Sequence, residues 1–252
     1  MPKLLEALRK NSYVSVPSEV RVKNIASSLR RSLPCIAFGQ PNKTRVAVVG
    51  AGPSVSENLE EIRNFDGYVV AINGMHDYLI ERGIVPDAVI IADSMPVMAD
   101  FFKNPNDETT YLTCSNCDPS VFDALEGKRV ILWHAAKEKD KKGTVGVCTG
   151  PSALTSAPYL LYILGYREVH LFGADSSISS SESHIYAGGK PGEVKLQTMV
   201  GEEIYLTTGQ YILQAAHLWD LNKLLRDDLK IKVHGYGLAK AIFDNNGEFE
   251  LI

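Results

Sequence analysis

The sequence predicts an α/β fold in which a mostly parallel sheet has helices on both faces, preceded by a helical N-terminal extension. The main observation is an alternation of short apolar segments with helical segments from Arg45 onward. Elements in that order form parallel sheets through right-handed crossover connections. A second observation is the apolar segment 45–49, which runs directly into a glycine-lined turn and then a helix. Such a segment is typical of a buried parallel strand.

The predicted elements follow in chain order. Residues 1–40 have helical patterns rich in Arg and Lys, and a polar connector at 40–43 separates them from the rest. We therefore expect a helical extension over 1–43 and one domain over 44–252. Strands are predicted at 45–49, 68–72, 87–92, 110–114, 129–133, 168–173 and 230–234. Helices are predicted at 54–63, 75–82, 94–103, 118–125, 151–164 and 206–227.

Two segments interrupt this alternation. The charge run 137–142 is expected to be a solvated loop or helix end. The segment 178–195 is rich in Ser, Gly and charged residues and is long for a connection of this kind. Loops of that length in a compact domain are commonly functional lids or disordered segments, and both interpretations remain open.

Composition narrows the classes of partner. The 252 residues are 45% hydrophobic and 22% charged, which is ordinary for a globular protein, and the net charge of −4 gives no footprint for nucleic acid. No apolar run approaches the roughly 20 residues needed to cross a bilayer, so we expect no membrane partner and a cytoplasmic location. Cys114 and Cys117 have metal or redox spacing, but no second pair follows, so we interpret them as structural.

The first glycine turn is the most informative local motif. It consists of Gly50, Gly52, Pro53 and Ser54, and it presents backbone amides and a helix N-terminus of the kind that binds phosphate. Val55 stands where a dinucleotide fingerprint has its third glycine, and no Gly-Lys-Ser/Thr follows. We therefore predict a phosphate contact that is neither a dinucleotide-binding site nor a kinase-type phosphate loop. The alternative is a tight turn that binds no ligand.

Polar residues follow the other predicted strands at the edge where ligands collect in open parallel sheets. Asn73 is a candidate ligand contact or a turn residue, and Asp93 is a candidate for Mg²⁺ or a sugar hydroxyl, or a helix cap. Asp175 has the same ambiguity as Asp93. His184, in the long segment, is a candidate general base. A second glycine turn before a helix adds small donors to the same predicted crevice: Thr149, Gly150 and Ser152.

Together these residues resemble a known family. The motifs that carry the resemblance are 48–54, 71–74, 83–93, the glycine turn before 151–164, 164–175 and Ser183-His184. They are similar to the Rossmann-like domain shared by archaeal 6-hydroxymethylpterin diphosphokinases and flagellin motility accessory factor glycosyltransferases, over about residues 45–235. Bacterial sialyltransferases with a similar Gly-x-Gly-Pro-Ser turn look like more distant relatives, and closely similar sequences occur among phage and prophage proteins.

The resemblance implies a role for each matching position. The first glycine turn (Gly50, Gly52, Pro53, Ser54) would approach nucleotide phosphates, and Asn73 would contact the nucleotide or its sugar. Asp93 would contact the donor or a metal, while Asp175 and His184 match positions of the flagellin-modifying branch, where we expect catalytic roles. The chain departs from the diphosphokinase pattern after Asp93, because Ser94, Met95 and Pro96 follow instead of a second acidic residue. A single carboxylate weakens the case for tightly held Mg²⁺–ATP.

Three functions are therefore expected to compete. The first is a transferase that uses a nucleotide or nucleotide-sugar donor and an unidentified acceptor, in the manner of a glycosyltransferase. The second is a Mg²⁺–ATP-dependent diphosphokinase of the 6-hydroxymethylpterin type. The third is a non-catalytic nucleotide- or glycan-binding accessory protein of a phage. A homo-oligomer formed through the N-terminal helices is a further expectation.

Overall fold

The computed structural model describes residues 16–136, 145–178 and 194–252. Its main sheet has eight strands, and every neighbouring pair is parallel. The strands are β1 (Arg45–Val49), β2 (Tyr68–Ile72), β3 (Ala88–Ile91), β4 (Thr110–Cys114), β5 (Arg129–Ala135), β6 (Gly146–Val147), β7 (Glu168–Phe172) and β10 (Lys230–Val233). The predicted α/β fold is therefore confirmed.

The order of the strands across the main sheet is β10-β7-β1-β2-β3-β4-β5-β6. The chain builds outward from β1 in one direction through β2 to β6, and then returns to place β7 on the other side of β1. The order of the strands thus reverses between β1 and β7. In open parallel sheets, ligands bind in the crevice at the carboxyl ends of the two strands that flank such a reversal.

A smaller antiparallel sheet follows in the chain. It consists of β8 (Lys195–Val200), β9 (Glu203–Thr208) and β11 (Glu250–Leu251), with β8 in the middle. These strands were missed by the sequence interpretation, which assigned 206–208 to a helix. Gly201 and Glu202 join β8 to β9, and Gly201 has a φ of +62°, so a two-residue hairpin turn beginning with glycine was a usable signal.

Helices cover both the main sheet and the smaller one. They are α1 (Ser18–Leu29), α2 (Leu59–Arg63), α3 (Met75–Ile80), α4 (Pro119–Ala124), α5 (Ala153–Ile163), α6 (Gly209–Leu225) and α7 (Leu238–Asp244). The helices predicted at 54–63 and 94–103 differ from expectation, because Pro53–Glu57 and Pro96–Phe101 are 3₁₀ turns. Both begin with a proline, which suits a first turn but supplies no amide hydrogen bond.

Within the N-terminal extension, the buried side chains of α1 attach the helix to the domain through polar contacts. Among the described residues the extension has one helix, α1, and the chain from Arg30 to Gln40 is not helical, contrary to the predicted pattern. The Asn24 side chain donates to the carbonyls of Ser94 and Asn116, and the Ser28 hydroxyl donates to the carbonyl of Ser115. These bonds attach α1 to the loops that follow β3 and β4.

Two groups of buried apolar side chains hold the structure together. The larger group fills both faces of the main sheet, and the smaller one lies between α6, α7 and the antiparallel sheet. Helix α6 contributes to both, with Leu218, Leu221 and Leu225 in the larger group and Ile212 and Ala215 in the smaller. Within the described ranges, no helix has the length and apolar character needed to cross a membrane.

Candidate functional site

A cleft of about 120 Å³ opens at the carboxyl ends of β1, β2 and β7, where the strand order reverses. Five residues that the sequence placed at a site line this cleft: Gly50, Gly52, Asn73, Ser152 and Asp175. They come from four separate parts of the chain. Gly50 and Gly52 belong to the first glycine turn, and Ser152, which caps helix α5, belongs to the second.

The glycines of the first turn have a packing reason to be glycine. A Cβ atom at Gly50 would lie 2.7 Å from the carbonyl oxygen of Gly173, and a Cβ at Gly52 would lie 2.6 Å from the carboxyl carbon of Asp175. Both distances are too short for a real side chain. The turn after β1 therefore lies directly against the turn after β7, and this contact between protein groups requires the two glycines whether or not a phosphate also approaches them.

Asp175 is a buried carboxylate at the bottom of the cleft. It accepts hydrogen bonds from the backbone amide of Ser54 at 2.9 Å and from the Ser54 hydroxyl at 2.5 Å. Burial raises the pKa of the Asp175 carboxyl, although the two bonds from Ser54 oppose that rise. Ser54 itself is fully buried. Asp175 thus occupies the anion-binding position at the start of the 3₁₀ turn that the sequence assigned to a phosphate.

The other amides of the first turn also have protein partners. The amide of Gly50 donates to the carbonyl of Phe172, that of Gly52 to Gly173, and that of Val55 to Gly52. Pro53 has no amide hydrogen to offer. Within the part of the chain that the structure describes, no such bond involves the amide of Ala51, which also lines the cleft, so an anion would find its hydrogen-bond donors at that amide and on the wall formed by the beginning of α5.

Helix α5 begins at that wall with a reciprocal cap. The Ser152 hydroxyl accepts from the amide of Thr155, and the Thr155 hydroxyl accepts from the amide of Ser152. The next two residues, Ala153 and Leu154, also line the cleft. Thr149 and Gly150 are not among its lining residues, and a Cβ at Gly150 would lie 2.3 Å from the Thr155 hydroxyl, so packing accounts for this glycine too.

Asn73 and Asp93 have structural roles that the sequence had left open. Asn73 adopts a left-handed conformation with φ of +48°, and its side-chain oxygen accepts from the amide of Ala92 at 3.3 Å, while the residue also lines the cleft. The Asp93 carboxylate accepts from the amide of Met95 at 3.1 Å, as a cap for the following turn would. Asp93 is not among the residues that line the cleft.

Three polar residues of the cleft were given no individual role from the sequence. Tyr211 and Gln214 lie on the first turns of α6, whose N-terminal end is attached to the second glycine turn by a hydrogen bond from Gln210 to the carbonyl of Pro151. Ser176, next to Asp175, has a positive φ of +51°, and its hydroxyl is buried without a hydrogen-bond partner. Backbone strain of this kind in a non-glycine residue is found most often at functional sites.

Four sequence interpretations fall wholly or largely outside the described residues. They concern His184, the charge run 137–142, the long segment 178–195 and the helical pattern of residues 1–15. Cys114 and Cys117 are buried and form no disulfide, and no group of three or more His, Cys, Asp or Glu side chains in the described part of the chain is arranged to hold a metal ion.

An open parallel sheet with a glycine-lined cleft where its strand order reverses defines a Rossmann-like α/β protein. A family model described as "6-hydroxymethylpterin diphosphokinase MptE-like" matches residues 21–181, and the chain belongs to this family. The match includes the cleft residues up to Ser176 but not those of α6. Family membership supports a transferase-like role.

A solved structure gives a fold comparison. The structure of the MAf glycosyltransferase from Magnetospirillum magneticum AMB-1 superposes with a TM-score of 0.68 at 16% sequence identity. The similarity covers 87% of this chain and 37% of that protein, so this chain spans well under half of the glycosyltransferase. At that identity the likeness is one of fold. A search of curated proteins found no match.

Proposed function

We propose that this protein is a nucleotide-dependent transferase that binds the phosphate and sugar of a nucleotide-linked donor in the cleft between β1 and β7. A nucleotide-sugar donor, as in glycosyltransferases, is the form of donor that we favour. The single observation that carries the proposal is the meeting of Gly50, Asn73, Ser152 and Asp175 in one cleft where the strand order reverses.

The two walls of the cleft offer different chemistry. On one wall, the N-terminal end of α5 carries a partial positive charge, and the first amides of a helix have no partner within the helix. This wall suits a phosphate. On the other wall, the Asp175 carboxylate and the Asn73 side chain offer oxygen atoms that accept hydrogen bonds, which suits the hydroxyl groups of a ribose or another sugar.

Asp175 and His184 are proposed to have different roles in the reaction. Asp175 is tied to Ser54 by two hydrogen bonds, so its role would be to position the substrate. His184 would serve as general base for an acceptor hydroxyl. If so, His184→Ala should lower kcat by about 10²–10⁴-fold and leave donor affinity nearly unchanged. Full turnover in that variant would remove His184 from the mechanism.

A diphosphokinase that transfers pyrophosphate from ATP is the second candidate, and the family match favours it. That reaction requires Mg²⁺, which is usually held by one or two carboxylates together with the phosphates. Asp93 would be the carboxylate involved. Asp93 already accepts a hydrogen bond from the amide of Met95, and it does not line the cleft. The diphosphokinase therefore has less support from the structure than the nucleotide-sugar transferase.

A thermal-shift titration separates these candidates. The ligands are CMP, CMP-, UDP- and GDP-sugars, and ATP, each with and without Mg²⁺. We expect metal-independent stabilisation by one nucleotide or nucleotide sugar. Stabilisation by ATP only in the presence of Mg²⁺ would establish the diphosphokinase instead. No stabilisation by any of them would leave a role that does not depend on nucleotides.

A charge variant then locates the site. Ser152→Asp keeps a good helix cap but adds a negative charge beside the predicted phosphate, so nucleotide affinity should fall by at least about tenfold. Ser18→Asp adds the same charge at the start of α1, away from the cleft, and is the matched control. Equal affinity in the two variants would place the nucleotide elsewhere.

A further inference from the structure

A second, larger cavity lies beside the cleft. It is a groove of about 400 Å³ between β9 on one side and α7 on the other, with the turn Gly235–Gly237 between them. This volume is within the range of roughly 300–1,000 Å³ that is typical of small-molecule sites. We propose that this groove is the acceptor site and that it binds an uncharged, hydroxyl-rich molecule, namely a carbohydrate.

The groove and the cleft share a wall. The segment after β7 places Asp175 and Ser176 in the cleft and the next residue, Ser177, in the groove. The turn of the groove touches the same segment from the other side, since a Cβ at Gly237 would lie 2.5 Å from the carbonyl oxygen of Asp175. A Cβ at Gly235 would lie 2.5 Å from the Ser54 hydroxyl. Only the segment 175–177 would thus separate a molecule in the groove from a donor in the cleft.

The side chains of the groove are those that bind sugars. Tyr236 stands between two glycines with positive φ angles and is 38% exposed, so part of its ring is available to pack against the apolar face of a sugar. Tyr205, across the groove, donates its hydroxyl hydrogen to the Glu203 carboxylate. On the opposite wall, Lys240 and Asp244 form an ion pair. Each wall therefore offers charged groups to hydroxyl groups, and the β9 wall and the turn each add an aromatic ring.

The charges of the groove distinguish its ligand from that of the cleft. Glu203, Lys240 and Asp244 carry a net charge of −1, and the only cation among them is already paired with a carboxylate. A phosphate would be repelled by this arrangement, whereas carboxylates accept strong hydrogen bonds from the hydroxyl groups of a neutral sugar. Burial and the nearby Glu203 raise the pKa of Tyr205 to about 12, so its hydroxyl keeps its hydrogen at neutral pH.

The role as acceptor site rests on the proposed transferase function, but binding of a carbohydrate does not, so we test binding without any nucleotide. The experiment is saturation-transfer NMR on the full chain with the neutral sugars N-acetylglucosamine and lactose, and with glucose 6-phosphate as the charged comparison. We expect saturation transfer to at least one neutral sugar and a weaker signal from the phosphorylated one.

Two variants and a control assign the signal to the groove. Tyr236→Ala should reduce the affinity for the neutral sugar by about fivefold, because it removes the ring from the binding surface. Glu203→Gln should also weaken binding. This second variant tests the groove independently if Tyr236→Ala alters the glycine turn. Tyr68→Ala removes another exposed tyrosine, at the start of β2, and should have no effect. No transfer to either neutral sugar, or equal signals in wild type and both groove variants, would overturn the proposal.

Discussion

At the scale of single residues, the close approach of the Asp175 carboxyl group explains why position 52 is a glycine. Gly52 was predicted to let a phosphate approach the backbone, and that role remains a proposal. The structure adds that the Asp175 carboxyl lies in the space a side chain at position 52 would need. A glycine can therefore look like a ligand-binding residue in the sequence while its immediate neighbour is another part of the protein.

This contact leads to a prediction about stability. Gly52→Ala should lower the free energy of unfolding by about 1–3 kcal/mol, the usual cost of forcing extra atoms into a packed region. The measurement is urea unfolding. In an Asp175→Ala background the same glycine substitution should cost less, because the carboxyl group is removed and only the carbonyl oxygen of Gly173, 2.7 Å from the same Cβ position, remains in the way. Equal costs in the two backgrounds would show that the contact does not determine the effect.

At the scale of elements, a chain of hydrogen bonds joins β7 to β10. His170 contacts His234 at 2.8 Å and Glu168 at 2.9 Å, and His234 contacts Glu61 of α2 at 3.2 Å. Burial lowers the pKa of both histidines. Hydrogen bonds from Lys232 and His170 lower the pKa of Glu168 to about 2. The folded protein therefore favours neutral histidines beside an ionised glutamate.

These shifts predict that stability falls in mild acid. The unfolded chain takes up protons on histidine near pH 6.5 and the folded chain resists them, so the free energy of unfolding should decrease as the pH falls from about 7.5 to about 5.5. Replacing both histidines by glutamine should make that decrease smaller. Chemical unfolding at a series of pH values tests this, and the interval from about pH 8 to 9, where histidine does not titrate, is the internal control. An unchanged pH slope in the double variant would contradict the prediction.

The attachment of α1 is a second feature at this scale. Its buried side chains are polar, so hydrogen bonds position the helix on the loops after β3 and β4. Asn24→Ala removes two donors to buried or partly buried carbonyl groups and should cost about 1–3 kcal/mol in unfolding free energy. Val22→Ala, at an exposed position of the same helix, is the control and should change stability by less than about 0.5 kcal/mol. Similar losses in the two variants would rule out the hydrogen bonds as the cause.

At the scale of the whole molecule, α6 connects the two groups of buried apolar residues. The chain has two tryptophans, and each reports on a different group. Trp133 is fully buried in the main sheet, where its indole donates to the carbonyl of Leu112. Trp219, on α6, packs against Phe243 of α7 with ring centroids 5.3 Å apart.

Because α6 contributes to both groups, we expect them to unfold together. Trp133→Phe and Trp219→Phe each leave one tryptophan, and in each variant the fluorescence transition in urea should coincide with the transition followed by far-UV circular dichroism. A tryptophan signal at position 219 that changes at a lower urea concentration than the circular dichroism of the same variant would show that the smaller sheet unfolds independently.

The sequence by itself determined seven of the eight strands of the main sheet and the first glycine turn, and it missed only the two-residue strand β6 of that sheet. Each predicted strand agrees with an observed one to within two residues, because buried parallel strands are short apolar runs whose pattern is local. The hairpin of β8 and β9 escaped because its strands carry exposed polar and charged residues and only one face is buried. Its glycine turn was the remaining local signal.

Tertiary structure alone decided which residues meet. Ser54 and Asp175 are 121 positions apart, and they bond only because the chain returns to place β7 beside β1. Nothing local in the sequence specifies that order, since it depends on how the helices pack across the finished sheet. For the same reason Tyr211 and Gln214 could not be assigned to the cleft in advance, and the groove beside it, formed by β9, α7 and the turn after β10, has no counterpart in any single motif.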